Sequence, residues 1–223
     1  RCAMELPRGG GGGSERLLTA GCMPGDRTAV EGPCFLGSRN VLAAGGRAVR
    51  PVAVDAHGMQ VEALRAALEA GARAVLLTPR AHNPTGASLD AKRARALRQL
   101  LAAYPQVAVL IDDHYALLSQ QPYHSVLPDD GQRSELLRSL SKALGPDLRL
   151  AWLGCDAATA SVLRLRLAAG SGWVSHLLQD AASAVLESAP QRAKITAAGE
   201  RYQQRLQSLQ EQPRARWLQT PLP

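Results

Sequence analysis

Lysine is almost absent from this sequence. Of its 26 basic residues only Lys92, Lys142 and Lys194 are lysines, and the other 23 are arginines. Arginine supplies a permanent positive charge, whereas a lysine amine can lose its proton and attack a carbonyl group. Lys142, in the stretch SELLRSLSKALGPDLRLAWLG, is therefore a candidate for covalent chemistry. On spacing alone an ordinary loop cation is an equal alternative.

Long apolar runs and metal-binding patterns are absent as well. No run of eighteen or more apolar residues occurs, so we predict no membrane-spanning helix. The chain starts Arg-Cys-Ala-Met, without the charged and apolar segments of a signal peptide, and it is expected to be cytoplasmic and a fragment. The cysteines form no C-x-x-C pair and accompany no histidine cluster, which argues against zinc and for reduced thiols. They are Cys2, Cys22, Cys34 and Cys155.

The net charge of +7 raises the question of nucleic-acid binding. The arginines are spread along predicted helices such as AKRARALRQLL (residues 91–101), and no recognition motif accompanies them. A solvated basic face is the preferred interpretation.

Helical and strand patterns alternate along the middle of the chain. Helices are predicted in MQVEALRAALEAGAR, ending at Gly71, and in SLDAKRARALRQLLAAYP, with Ser88 as the N-cap. Short apolar strands are predicted in AVLLTP and VAVLI, and two more in ELLRSLS and RLAWLG. Such alternation is typical of an α/β fold with a mostly parallel sheet.

The chain ends differ from this middle part. The first sixteen residues, with glycines at 9–13, are predicted to form no stable element, and a helical pattern starts at Glu15. We divide the chain into an irregular segment (1–14), a large domain (15–172), a helical segment (173–210) and a tail (211–223). Trp173 is interpreted as a core or dimer-contact residue.

Chemically capable side chains follow the predicted strands, where parallel sheets bind ligands. Asn83 lies in the loop AHNPTG, Asp112 follows a buried strand, and Lys142 has Ser139, Ser141 and Arg149 nearby. These groups suit an aldehyde cofactor with a pyridine ring, a phenolic oxygen and a phosphate. The alternative for Asp112 is a helix cap, and Asp113 is interpreted as its structural neighbour.

The motifs HNPTG, DDHY and SLSKALGPDLR, in this order, resemble the fold-type-I, pyridoxal-phosphate-dependent aminotransferases. More specifically, residues 15–210 are similar to the aminotransferase-like domain of MocR-type regulators of the GntR family. The resemblance implies a three-layer α/β/α large domain, incomplete at both ends. It also implies pyridoxal 5'-phosphate, with Lys142 as the Schiff-base lysine and Asp112 on the pyridinium nitrogen. The other implied contacts are Asn83 and Tyr115 to the phenolic oxygen, Ser139, Ser141 and Arg149 to the phosphate, and Phe35 stacked on the ring.

The resemblance implies a homodimeric, effector-sensing domain that binds the cofactor or its amino-acid adduct, with DNA bound through a winged-helix domain outside this chain. The alternatives are a working class I/II aminotransferase and a fragment that keeps only the fold. Two departures from the family, a glycine run in place of the phosphate loop and no small domain after Gln210, weigh against catalysis. Tyr115 could instead pack under the sheet, His82 is incidental or faces the cofactor, and His114 is interpreted as a loop residue.

Overall fold

The computed structural model describes residues 2–7, 24–128, 132–168 and 175–211. Within these ranges the chain forms eight strands and seven helices. The strands are β1 (Cys2–Pro7), β2 (Arg27–Gly32), β3 (Ala48–Asp55), β4 (Gly58–Met59), β5 (Ala72–Leu77), β6 (Ala108–Asp112), β7 (Ser134–Ser139) and β8 (Leu150–Cys155). The helices are α1 (Leu36–Ala44), α2 (Val61–Glu69), α3 (Ala91–Ala102), α4 (Ser141–Leu144), α5 (Ala157–Ala168), α6 (His176–Glu187) and α7 (Ala189–Glu211).

The strands form one sheet in the order β1-β8-β7-β6-β5-β2-β3-β4. Strands β3, β2, β5, β6 and β7 pair in parallel, whereas β8 is antiparallel to both β7 and β1. The short strand β4 pairs antiparallel with β3. The prediction of a mostly parallel α/β sheet is confirmed.

The central strands are apolar throughout because helices cover both of their faces. On one face Val75, Leu77, Val109 and Ile111 pack with the buried residues of α2 and α3. On the other face the alternating residues of the same strands, such as Leu76 and Leu110, pack with α1 and α5. This arrangement gives the three layers that the sequence predicts.

The connections diverge between β2 and β5. The chain leaves β2 through α1 on one face of the sheet and leaves β5 through α3 on the other face. Open parallel sheets bind ligands at such a switch point, outside the carboxyl ends of the strands. The carboxyl ends of β2, β5, β6 and β7 meet at this edge.

Ser88 is not the N-cap of α3, so that prediction is wrong. Asp90 is the N-cap, and its Oδ1 accepts a hydrogen bond of 2.7 Å from the Arg93 N–H. The Ser88 hydroxyl instead accepts a hydrogen bond of 3.0 Å from the Ala81 N–H and stabilises the loop after β5.

The chain start also differs from the prediction that the first sixteen residues form no element. Residues Cys2–Pro7 form β1 and pair with β8. The predicted helix from Glu15 and the interpretation of Trp173 fall outside the described residues. In the described part of the chain, no helix combines the length and apolar character needed to cross a membrane.

Candidate functional site

A cavity of about 520 Å³ opens at the carboxyl edge of the sheet. All eight residues that the sequence nominated for a cofactor site line it. They are Phe35, Asn83, Asp112, Tyr115, Ser139, Ser141, Lys142 and Arg149. The carboxyl ends of β2, β5, β6 and β7, together with the residue before β8, supply these side chains, so the fold brings together residues more than a hundred positions apart.

Lys142 lies in the single-turn helix α4, directly after β7. Its Nζ atom is 6.0 Å from the centroid of the Tyr115 ring, and the residue is exposed at the cavity. The neighbouring Ser141 hydroxyl donates a hydrogen bond of 2.7 Å to the Leu148 carbonyl, which ties α4 to the turn that precedes β8. In this arrangement Ser141 must release Leu148 before it can donate to a phosphate.

Hydrogen bonds within the loop after β5 hold Asn83 at the cavity. The Gly86 N–H donates to the His82 carbonyl (2.6 Å), and the His82 N–H donates to the Ala87 carbonyl (2.9 Å). Gly86 has a φ of 73°, which side chains rarely adopt. The Asn83 side chain is thus presented from a short, internally bonded loop.

Asp112 and His114 meet at the cavity wall. The distance between Asp112 Oδ1 and His114 Nδ1 is 3.6 Å. Both atoms are buried, and neither has a hydrogen-bond partner within the described ranges. Buried polar atoms without partners are rare in folded proteins, so this wall is suited to bind a polar group.

Asp113 faces away from the cavity and is fully buried. Its Oδ1 accepts a hydrogen bond of 3.0 Å from Arg80 Nε, and its Oδ2 accepts bonds from Arg80 Nη2 (2.6 Å) and Arg138 Nε (2.9 Å). Both guanidinium groups lie over the Tyr123 ring, at 5.5 and 5.1 Å from its centroid. These contacts agree with the prediction that Asp113 is structural.

Glu31, which the sequence analysis did not nominate, also lines the cavity. Its Oε2 accepts a hydrogen bond of 2.8 Å from the Thr78 N–H and lies 3.4 Å from His82 Nε2. Burial, assisted by the nearby Asp112 charge, raises the pKa of Glu31 to about 8. The sequence marks Glu31 only by its position as a glutamate near the end of an apolar strand, RTAVEG, and contains no sign of its contact with Thr78.

His82 is buried beside Glu31 and lines the same cavity. Its Nδ1 is 2.8 Å from the Thr85 hydroxyl oxygen. Burial, assisted by the nearby His114, lowers the pKa of His82 to about 4. Glu31 and His82 are therefore both neutral at neutral pH. Within the described ranges, no cluster of three or more metal-ligating side chains occurs.

The profile of the family "Aminotransferase class I and II" matches residues 4–217. The chain belongs to the class I and II aminotransferase family. Within this family, it is 57% identical over 182 residues to the vitamin B6 salvage pathway transcriptional repressor PtsJ of Salmonella typhimurium, covering 82% of this chain and 42% of that protein. It is 33% identical to the HTH-type transcriptional regulator YjiR of Escherichia coli, covering 76% of this chain and 37% of that one. The predicted similarity to regulators of this type is confirmed.

The chain thus spans less than half the length of these two relatives. Solved aminotransferases share its fold at low identity. The kynurenine aminotransferase of Pyrococcus horikoshii superposes with a TM-score of 0.83 at 22% identity, covering 96% of this chain and 56% of that one. LysN of Thermus thermophilus, solved with N-(5'-phosphopyridoxyl)-L-leucine, gives 0.80 at 21% identity, covering 95% and 57%. The fold-type-I architecture is therefore confirmed.

Proposed function

We propose that this aminotransferase-family chain is the pyridoxal-phosphate-binding, effector-sensing domain of a cytoplasmic transcriptional regulator, and that DNA binds through another domain of the regulator. The observation that carries the proposal is the convergence of all eight nominated residues on one cavity. The 57% identity to a transcriptional repressor of vitamin B6 salvage supports a regulatory role over an enzymatic one.

The residues present fit the cofactor. The Asp112 side chain lines the cavity and is 19% exposed, as expected for a carboxylate that a ligand can reach. The Lys142 amine is exposed at the cavity and lies against the Tyr115 ring. When bound, pyridoxal phosphate supplies an aldehyde that reacts with amines and a ring that withdraws electrons.

The chain's own groups have distinct roles in this proposal. Lys142 would supply the amine that condenses with the aldehyde, whose oxygen leaves as water, and the same amine would serve as a proton donor to a reacting group. The Asp112 carboxylate would accept a hydrogen bond from the ring nitrogen and would stabilise its protonated form. Asn83 and Tyr115 would donate hydrogen bonds to the phenolic oxygen.

The phosphate end is assigned to Arg149, Ser139 and Ser141. Arg149 is exposed at the cavity, whereas the Ser139 hydroxyl is buried at the end of β7. Arginine suits phosphate because its planar fork can donate two parallel hydrogen bonds. Phe35, with 53% of its surface exposed, is available to cover the ring or a second subunit in the proposed homodimer.

Pyridoxal phosphate titration tests the proposal. Addition of the cofactor should produce an absorbance band near the visible edge, and borohydride should fix the cofactor to Lys142. Lys142→Arg keeps the charge and should abolish the band, while the matched controls Lys92→Arg and Lys194→Arg should leave it unchanged. Equal labelling of all three lysines would contradict the assignment.

An aminotransferase is the second candidate, because the chain is also 33% identical to the aminotransferase swnA of Metarhizium robertsii over 61% of its length. The two functions differ in the fate of an added amino acid. A sensor should change its spectrum without accumulating keto acid. An enzyme should release keto acid steadily, at about one per second or faster.

A further inference from the structure

The proposed function leaves His114 without a role, although its geometry is specific. Its Nδ1 is buried, 3.6 Å from the buried Oδ1 of Asp112, and neither atom has a partner in the described part of the chain. Two unpartnered polar atoms this close need only a small rotation of either side chain to form a hydrogen bond.

Two other polar groups of this wall have contacts of their own. Glu31 Oε2 accepts a hydrogen bond from the Thr78 N–H and lies 3.4 Å from His82 Nε2. His82 is neutral because burial lowers its pKa to about 4, and its ring lies between Glu31 and Thr85. Lys142 Nζ lies 6.0 Å from the centroid of the Tyr115 ring. His114 Nδ1, in contrast, lies beside Asp112 Oδ1, at 3.6 Å, and has no hydrogen-bond partner in the described part of the chain.

The imidazole of His114 is itself held in place. Its ring packs against Tyr115 with a centroid distance of 4.8 Å and an interplanar angle of 56°. Only 15% of the His114 side chain is exposed. A ring fixed in this way can orient a carboxylate without the entropy cost of ordering a free side chain.

We infer that His114 is a positioning residue for Asp112: its Nδ1–H donates to Asp112 Oδ1, fixes the plane of the carboxylate, and leaves Oδ2 to a protonated ring nitrogen. Because Oδ1 is buried, Oδ2 is the carboxylate oxygen that remains for a ligand. The inference rests on the proposed function, since it assigns Asp112 to the cofactor ring.

A ligand comparison tests this role directly. Two probes are titrated by fluorescence or absorbance: pyridoxal phosphate, and its deaza analogue, in which a C–H group replaces the ring nitrogen. The ratio of the two dissociation constants measures the contribution of the ring nitrogen alone. We compare wild type with His114→Leu, which removes the donor, and with His114→Asn, whose amide nitrogen lies close to the position of Nδ1.

His114→Leu should reduce the preference for pyridoxal phosphate over the deaza analogue by roughly tenfold or more, the value of a hydrogen bond to a charged group. His114→Asn should keep the preference to within about threefold of wild type. His57→Leu is the matched control, because His57 is 61% exposed and paired with Asp90 outside this cavity, and it should change nothing.

Each other outcome identifies what is wrong. Equal loss of affinity for both probes in His114→Leu would overturn the inference and indicate a purely structural role. If wild type binds both probes equally, Asp112 does not bind the ring nitrogen, and the inference falls while cofactor binding stands. If wild type binds neither probe, the proposed function itself fails. Should His114→Leu not fold, His114→Gln serves instead, because its amide nitrogen lies near Nε2 and should lose the preference.

Discussion

Asp112 and Asp113 are chain neighbours at the end of β6, yet they lie in opposite environments. Asp113 is completely buried, and both of its oxygens accept hydrogen bonds from arginines. Asp112 lines the cavity and has an unpartnered Oδ1 within the described ranges. Adjacent residues of a strand point to opposite faces, so one position separates a structural carboxylate from one suited to a ligand.

The state of each carboxylate in the ligand-free protein distinguishes two kinds of buried charge. A carboxylate that stabilises the fold is already paired in the ligand-free protein, because an unpaired buried charge is costly. A carboxylate that binds a ligand is incompletely paired in the ligand-free protein, so part of this unfavourable free energy remains until the ligand binds. Substitutions at the two positions should therefore have opposite effects on folding and on binding.

Asp113→Asn should have the largest effect on stability. The change leaves the Arg80 side chain, which is only 8% exposed, without its bidentate partner. Removing one partner of a buried ion pair typically costs about 3–5 kcal/mol. Chemical denaturation of the cofactor-free protein measures this loss, with Asp112→Asn as the matched control. Equal destabilisation by the two substitutions would contradict the distinction between a structural Asp113 and a ligand-binding Asp112.

Asp112→Asn should act on binding instead. It keeps the shape of the side chain but removes the charge that stabilises a positive ring nitrogen, so affinity for pyridoxal phosphate should fall by more than about a hundredfold. The free energy of unfolding without cofactor should stay constant or rise. If Asp112 were a cap, the pattern would reverse: the cofactor-free protein would lose about 1 kcal/mol, and cofactor titration would be unchanged.

The sequence predicts the cavity residues that follow simple patterns. Asp112 and Lys142 stand out because a charge directly follows an apolar strand or because lysine is rare. His114 does not stand out, since its importance depends on a 3.6 Å approach to Asp112 that spacing alone does not contain. The sequence does not predict the role of Glu31, because its partner Thr78 is 47 residues away, at the end of another strand.

The strands of the sheet differ in the same way in how far their own sequence predicts them. Strands β5 and β6 are predictable because apolar runs of their length suit a sheet covered on both faces. Strand β3 contains Pro51, which lacks an N–H. The proline is tolerated because β4 pairs with β3 only at Val54 and Asp55. Strand β1 is defined by its pairing with β8, a tertiary contact that its own sequence does not reveal.

A second pair of carboxylates, Glu31 and Glu135, extends the comparison to protonated side chains. Both are buried, and burial raises the pKa of each to about 8. Glu31 lies at the carboxyl end of β2 and lines the cavity, whereas Glu135 lies at the start of the parallel strand β7, at the opposite edge of the sheet. The two residues thus titrate in the same pH range but lie at opposite edges of the sheet.

Their raised pKa values predict a stability that falls with increasing pH. Below about pH 4.5 each group is protonated in both states, so the contribution is complete. Between about pH 4.5 and 8 the unfolded chain releases a proton that the folded protein keeps. Each group therefore lowers the free energy of unfolding by about 1.4 kcal/mol per pH unit in this window.

Glu31→Gln and Glu135→Gln should each remove about 1.4 kcal/mol per pH unit from the slope of the free energy of unfolding against pH in this window. Denaturation at several pH values measures this change.

The two substitutions should differ in their effect on cofactor binding. Above about pH 8 an ionised Glu31 adds a second negative charge near Asp112 and favours a positive ring nitrogen. The preference for pyridoxal phosphate over its deaza analogue should then rise with pH in wild type and in Glu135→Gln, and stay flat in Glu31→Gln. If the preference still rises with pH in Glu31→Gln, the charge of Glu31 does not affect binding, and Glu31 is a structural carboxyl like Glu135. The binding role in this wall would then belong to Asp112 and His114.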